Sequence, residues 1–331
     1  MTDATYPDEP PRPRYPGQAQ TLSYLRHLFM ERGLEAKSKL GQNFLIDLNL
    51  LDMIVRIGNP GPEDCVLEIG TGTASLTSRL VERAGAVLSV EIDAGFHLLA
   101  NETLDPRDNL VLLHADALAG KNDLNPVVLD ALRELMAKTG TKRVKLIANL
   151  PYAVATPVLA NLLLTDLPIE RMVALTQWEF AVKLCAPPST QHYAALSVLV
   201  QSLAYVELIR RVNPRVFYPR PKVDSAIVKI VPLARKRAHV GDVLRFRVFL
   251  RDLYTHRRKN LRGALVGMQG RSWSKQEVDA RLAALGIDGT VRAEDLDLEQ
   301  HLRLCNAFDG ADAEKGLNPP GAGDSPDEAT P

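Results

Sequence analysis

The chain has 331 residues, 46% of them hydrophobic and 24% charged, with 40 basic and 40 acidic side chains and a formal net charge of zero. This mix excludes a wholly disordered chain, and the length suits one large domain or two modest ones. No run of 18 apolar residues occurs and Met1–Ala4 opens no secretory signal, so no membrane attachment is expected and a cytoplasmic location is.

Residues 1–20 are rich in proline, and 309–331 carry six acids against Lys315; both segments are expected to be disordered, the second as an acidic tail. Between them the pattern alternates. Leu22, Leu25, Leu28 and Phe29 share one helical face, which predicts a helix over 21–32 stopped at Gly33. Asp47 is the expected N-cap of a second helix ending at Gly58. The apolar run Cys65–Ile69 predicts a strand, followed by a glycine-containing turn and a helix over 74–84. Strands at Ala86–Val90, Leu110–Leu113, Val144–Ala148 and Met172–Thr176 then alternate with helices near 94–103, 125–138 and 154–164. Near-continuous apolar strands alternating with helices predict a parallel α/β sheet covered on both faces. The β-branched runs Tyr205–Val212 and Ala226–Val231 predict an antiparallel edge pair. From about 240 the pattern is helical (240–266, 275–285, 294–307), placing a domain boundary near Ala234–Gly241. Cys65, Cys185 and Cys305 lie far apart in sequence, so neither a disulfide framework nor a metal site is implied.

Two constellations carry chemistry. In the first, Gly70 and Gly72 follow the first sheet strand, where open α/β sheets bind ligands and where a backbone without Cβ can approach one. Ser75 stands where a dinucleotide fingerprint needs Gly or Ala, and no proton-transfer group stands beside the crevice, so a nicotinamide dehydrogenase is the least favoured reading. Glu91 ends the second strand and can accept both hydroxyls of a ribose; a solvated strand end is the alternative. Asp116 follows the third strand and can accept from an adenine amine; N-cap of the next helix is the alternative. The second constellation is Asn149-Leu150-Pro151-Tyr152 after the fourth strand. Pro151 stiffens the turn. Asn149 and Leu150 offer a side-chain and a backbone carbonyl to a planar NH2 group, and Tyr152 offers a ring face to a base.

The second constellation resembles the signature of amino methyltransferases. Leu40-Gly41-Gln42-Asn43-Phe44-Leu45, Glu68–Gly72, Val90–Asp93, Asp116–Leu118, Asn149–Tyr152, Phe217–Ser225 and His256–Lys259 follow one another as in the ribosomal RNA adenine N6,N6-dimethyltransferases that act on the small subunit. The resemblance covers about residues 21–308. It implies a Rossmann-like class I methyltransferase domain over 21–236, a smaller all-helical RNA-binding domain over 237–308, and S-adenosylmethionine as cofactor. It implies that Gln42, Asn43, Leu45, Gly70, Gly72, Glu91, Asp116 and Asn149 surround that cofactor. Asn149, Leu150, Pro151, Tyr152 and Phe217 would form the catalytic pocket, with Phe217 sandwiching the target base against Tyr152. The implied reaction is dimethylation of two adjacent adenosines in small-subunit (16S) RNA, on a 30S pre-ribosomal particle, by a monomer. Its alternatives are the large-subunit (23S) methylation of the antibiotic-resistance enzymes and a non-catalytic assembly factor. The sequence departs from the family pattern at Ala74, Trp178, Ala194-Ala195 and Arg220. Trp178 and Ala194-Ala195 each remove a positive charge.

The zero net charge is a sum of opposed regions. Residues 210–262 hold sixteen Lys and Arg against three acids, a local excess of +13. Such an excess is a phosphate-binding footprint. Arg220, Lys222, Arg257, Arg258 and Lys259 are its expected RNA contacts.

Overall fold

A computed structural model describes residues 21–120, 123–268 and 273–309; the expected N-terminal extension, and the acidic tail beyond Asp309, lie outside the described residues. Its strands are β1 (Phe44–Leu45), β2 (Asp64–Ile69), β3 (Ala86–Glu91), β4 (Leu110–His114), β5 (Arg143–Asn149), β6 (Ile169–Gln177), β7 (Ala204–Val212), β8 (Phe217–Tyr218) and β9 (Ser225–Pro232). Seven of them form one sheet in the order β4-β3-β2-β5-β6-β9-β7. β2 to β6 pair in parallel. β9 is antiparallel to both β6 and β7. The expected antiparallel pair is present, but the later strand lies inside it and β7 forms the edge. Every residue of β2 and β3 is buried, as strands covered on both faces require.

Polar side chains set where the helices begin. Asp47, Asp93 and Asn125 each accept backbone N–H bonds at the start of Leu48–Gly58, Ala94–Thr103 and Pro126–Thr139. Helices Trp178–Cys185 and Ala195–Leu203 have no counterpart in the sequence reading. The helix expected over 240–266 is divided into Val243–Thr255 and Leu261–Val266. Two cap residues set these bounds: Asp242 starts the first helix by accepting from Arg245 N–H, and Asn260 starts the second by accepting from Gly263 N–H, each at 2.9 Å.

β1 and β8 form a separate two-stranded sheet, pairing Phe44 with Tyr218 and Leu45 with Phe217. Strand alternation sends the two pairs to opposite faces. Leu45 and Phe217 enter the main core with Leu50, Ile54 and Ile227. Phe44 and Tyr218 join Phe29 and Phe96 in a second cluster.

The chain divides into two compact units, one of residues up to Ala186 with Val200–His239, the other of Pro187–Leu199 with Val240 onward. The first holds the sheet. The second is helical, and it recruits a segment from the middle of the sequence.

Candidate active site

Chain order takes β3 and β4 outward from one side of β2 and then places β5 on its other side. The carboxyl ends of β2 and β5 therefore flank a topological switch point, where sheets of this kind bind ligands. A cleft of about 960 Å3, counting its open mouth, lies there. Of the expected cofactor residues, Gln42, Asn43, Gly70, Gly72, Glu91, Asp116 and Asn149 line it, together with Leu150, Pro151 and Tyr152.

Gly70 and Gly72 have φ of +90° and +53°. A Cβ on Gly70 would stand 3.3 Å from Pro151 Cδ, and one on Gly72 3.0 Å from the Phe44 ring. Glycine is needed here for space as well as conformation, because the glycine turn packs directly on the Asn149–Tyr152 turn. Glu91 is 5% exposed. Its Oε2 accepts the Gly72 N–H and its Oε1 the Asp93 N–H, both at 2.9 Å. Burial raises its pKa above the usual carboxylate range, against the pull of those N–H donors. Each oxygen keeps a lone pair for a further donor. Asp116 is exposed and its Oδ1 accepts the Leu118 N–H at 2.9 Å. The next helix is capped by Asn125, which removes the N-cap alternative for Asp116.

Asn149 Nδ2 donates to the Asn43 carbonyl at 2.9 Å, so the Asn149 amide is oriented through its nitrogen and its Oδ1 remains an acceptor. Asn43 is itself fixed by donating to the Gly41 carbonyl at 3.0 Å. The Leu150 side chain is buried and its N–H donates to the Leu175 carbonyl, leaving its own carbonyl as what it can offer a ligand. Tyr152 opens helix Tyr152–Leu162 directly after Pro151. Its hydroxyl lies 2.6 Å from Ser225 Oγ, and burial raises the phenol pKa.

One expected residue is corrected. Leu45 and Phe217 are 4% and 3% exposed and pack in the main core. Leu45 also lines a small pocket adjoining the cleft, beside Gly70, Gly72 and Asn149, whereas Phe217 does not line the cleft, so as placed it cannot sandwich a base against Tyr152. The two-residue pairing of β1 with β8 turns both side chains inward and puts Phe44 at the cleft instead.

The sequence reading missed Phe44, Ile92 and Glu68. Ile92 is an apolar side chain 43% exposed at the cleft, beside Glu91, and that pairing of acid and exposed aliphatic was its signal. Glu68 is 1% exposed; its Oε2 accepts from Thr77 Oγ1 and Ser89 Oγ, each at 2.6 Å. Burial pushes its pKa up to about 8. It ties β2, β3 and helix Ser75–Val81 together beneath the glycine turn.

The expected RNA contacts divide. Arg220, Lys222, Arg258 and Lys259 are exposed and form no ion pair among the described residues. Arg257 is engaged inside the helical unit: its Nε donates to Glu294 at 2.7 Å and its Nη2 to the Gln191 carbonyl at 2.9 Å. With these contacts made, the Arg257 side chain is still 45% exposed. Among the described residues no group of three or more His, Cys, Asp or Glu is arranged to hold a metal, and no helix is long and apolar enough to cross a membrane.

Residues 33–309 match the family model of ribosomal RNA adenine dimethylase. The chain is 39% identical to ribosomal RNA small subunit methyltransferase A of Pediococcus pentosaceus, covering 85% of this chain and 92% of that protein. It is 37% identical to the protein of the same name in Geobacillus kaustophilus, covering 83% and 92%. Among solved structures, a dimethyladenosine transferase from Plasmodium falciparum superposes with a TM-score of 0.66 at 23% identity, over 82% of this chain and 98% of the other. The 23S rRNA methyltransferase ErmE superposes with a TM-score of 0.58 at 26% identity, over 81% and 100%. A methyltransferase cleft at the switch point, a match over most of the chain and relatives well above 30% identity agree: the chain belongs to the ribosomal RNA adenine dimethylase family.

Proposed function

We propose that this protein dimethylates N6 of two adjacent adenosines in small-subunit ribosomal RNA, using S-adenosylmethionine, and meets that RNA as a monomer on a 30S pre-ribosomal particle in the cytoplasm. The observation that carries the reading is the Asn149-Leu150-Pro151-Tyr152 turn, clamped through Asn43 and facing the same cleft as Glu91. The small-subunit assignment is supported by relatives named for that subunit, which match over more than nine-tenths of their own length. The likeness to the 23S enzyme supports the shared chemistry.

The cleft fits the cofactor. Glu91 offers two oriented oxygens to a ribose, Asp116 an exposed carboxylate to an adenine amine, and Ile92 and Ala117 apolar walls. Gly70 and Gly72 leave the floor free of side chains, and Gln42 and Asn43 close the N-terminal side. When bound, S-adenosylmethionine supplies a methyl group on a positively charged sulfur that departs as a neutral thioether.

Asn149 Oδ1 and the Leu150 carbonyl accept the two N–H bonds of the target amine. Holding both turns the nitrogen lone pair out of conjugation with the ring and toward the cleft. Such positioning can be worth roughly 7–11 kcal/mol. The amine proton grows acidic as the new N–C bond forms, and it lies in a hydrogen bond to one of these acceptors, so no strong base is required. The target base must leave its stack at a cost of about a few kcal/mol. The Tyr152 ring, pinned by Ser225, offsets part of that by stacking, at about 1–3 kcal/mol. Exposed Arg220, Lys222, Arg258 and Lys259 supply phosphate contacts.

The test is methyl transfer to 30S and 50S particles from cells lacking both modifications, followed by mapping of dimethyladenosine. Transfer confined to 30S and lost in Asn149→Ala is the expected result. Transfer to 50S alone, or wild-type transfer by Asn149→Ala, overturns the proposal.

A further inference from the structure

Trp178 is half-buried at the start of helix Trp178–Cys185, immediately after the carboxyl end of β6. The Arg211 guanidinium lies over its ring, 4.7 Å from the centroid. Arg211 is the next-to-last residue of β7, and because β6 and β7 are both antiparallel to β9, their carboxyl ends share one end of the sheet. Asp224 locks the pair. Its Oδ2 accepts from Arg211 Nε at 2.7 Å and pairs with Nη2, and its carbonyl accepts the Trp178 N–H at 2.9 Å.

The assembly is held in place yet open. The Arg211 side chain remains 59% exposed despite its two partners, Trp178 and Asp224. With Asp224 beside it the group is close to neutral, which disfavours phosphate as the ligand. A planar guanidinium laid on an indole presents a flat surface on which a nucleobase can stack. Its location decides which base. Ser225, next to Asp224, holds the Tyr152 hydroxyl and stands opposite Gln177 in the β6–β9 register. Adjacent strands are about 4.8 Å apart. The platform therefore begins one strand beyond the Tyr152 turn, which is the reach of one nucleotide. Exposed Arg220 and Lys222 precede it in the loop leading to Asp224 and can hold the linking phosphate.

We propose that Trp178 and Arg211 form the stacking seat for the nucleotide next to the target adenine, on single-stranded RNA. The inference rests on the reading that the substrate is RNA.

The chain has two tryptophans, so Trp273→Phe leaves Trp178 as its only indole emitter. A short single-stranded oligoadenylate is expected to quench that emission, and Arg211→Ala to weaken the quench. On 30S particles, Trp178→Ala is expected to raise KM about tenfold or more, with kcat within about twofold and cofactor affinity unchanged. Trp178→Phe should restore most of the loss. The proposal fails if Trp178→Ala leaves KM unchanged, or if emission does not move while Trp273→Phe still methylates RNA. Quenching by 30S but not by the oligonucleotide would assign the surface to a ribosomal protein and also overturn it. If the parent protein methylates no RNA, the function reading falls, and this inference with it.

Discussion

The cleft between β2 and β5 and the turn at 256–260 both gather functional residues in a few positions, but they hold them differently. In the cleft the polar groups are aimed by protein hydrogen bonds and keep lone pairs toward the ligand: Glu91 through the Gly72 and Asp93 N–H groups, one on each oxygen, Asn149 through the Asn43 carbonyl. In the turn, neighbouring cations diverge. Arg257 is tied to Glu294 and Gln191, while Arg258 and Lys259 face solvent without a partner among the described residues. A strand end fixes direction, so residue type at a given position predicts role. A turn does not, and there the partner decides.

The largest effect should come from the cleft. Asn149→Ala removes an acceptor aimed at the reacting amine and should lower the single-turnover methyl-transfer rate by about 10²–10³, the scale of losing one preorganised hydrogen bond at a reacting centre. Cofactor affinity should stay within a few fold. Glu91→Ala should do the reverse, weakening S-adenosylmethionine in calorimetry by about tenfold or more while sparing the rate at saturation. If the two variants lose rate and affinity in the same proportion, the cleft is not divided between a cofactor side and a substrate side.

The sheet itself was legible because buried parallel strands must be continuous apolar runs, and Cys65–Ile69 and Ala86–Val90 are such runs. The site was legible at Gly70, Glu91, Asp116 and Asn149 because each closes or follows a strand. Legibility failed where two residues carry the structure. Nothing in Phe44-Leu45 or Phe217-Tyr218 marks a strand, yet their pairing decides that Phe44 meets the cleft and Phe217 the core. It failed again at Asp242 and Asn260: the first delays the start of an otherwise periodic helical run and the second splits it. At Arg257 composition counts the charge without showing that Glu294 lies within reach.

A second comparison sets a residue of the cleft against one beneath it. Glu91 ends β3 and Glu68 is next to last in the neighbouring β2, and both are buried, but Glu91 is met by backbone N–H groups and Glu68 by two hydroxyls. Glu68 has a pKa pushed up to about 8. A carboxyl raised in the folded state contributes stability that is complete below the ordinary carboxylate range and is lost as pH rises toward 8. The slope should reach up to about 1.4 kcal/mol per pH unit inside that window. Glu68→Gln copies the protonated acid and cannot ionise. Denaturant unfolding should therefore find it more stable than the parent at pH 8.5 and nearly equal at pH 5. A constant difference at both values would show that Glu68 is charged throughout.

The turn yields a smaller, salt-dependent effect. Removing Arg258 and Lys259 together should reduce the slope of log affinity against log salt by about 1.8 in filter binding to 30S RNA. Arg257→Ala should leave that slope unchanged and cost the helical unit at most about 1 kcal/mol, as expected for a partly exposed ion pair. Equal slope changes from all three cations would restore Arg257 as a phosphate contact.

The smallest effect concerns Ala74, which departs from the family's glycine pattern and has φ +60°. Left-handed backbone costs a residue with a Cβ roughly 1–2 kcal/mol. Ala74→Gly relieves that strain, but glycine gives back about 0.5–1 kcal/mol through the freedom of the unfolded chain. The net gain in unfolding free energy should therefore be about 0–1.5 kcal/mol, with cofactor affinity unchanged. Gly72→Ala sets the contrast: its new methyl would stand 3.0 Å from the Phe44 ring, so Phe44 must move at the cleft. It should weaken cofactor binding where Ala74→Gly does not. That difference separates a position that needs glycine for space from one where only the backbone angle is at stake.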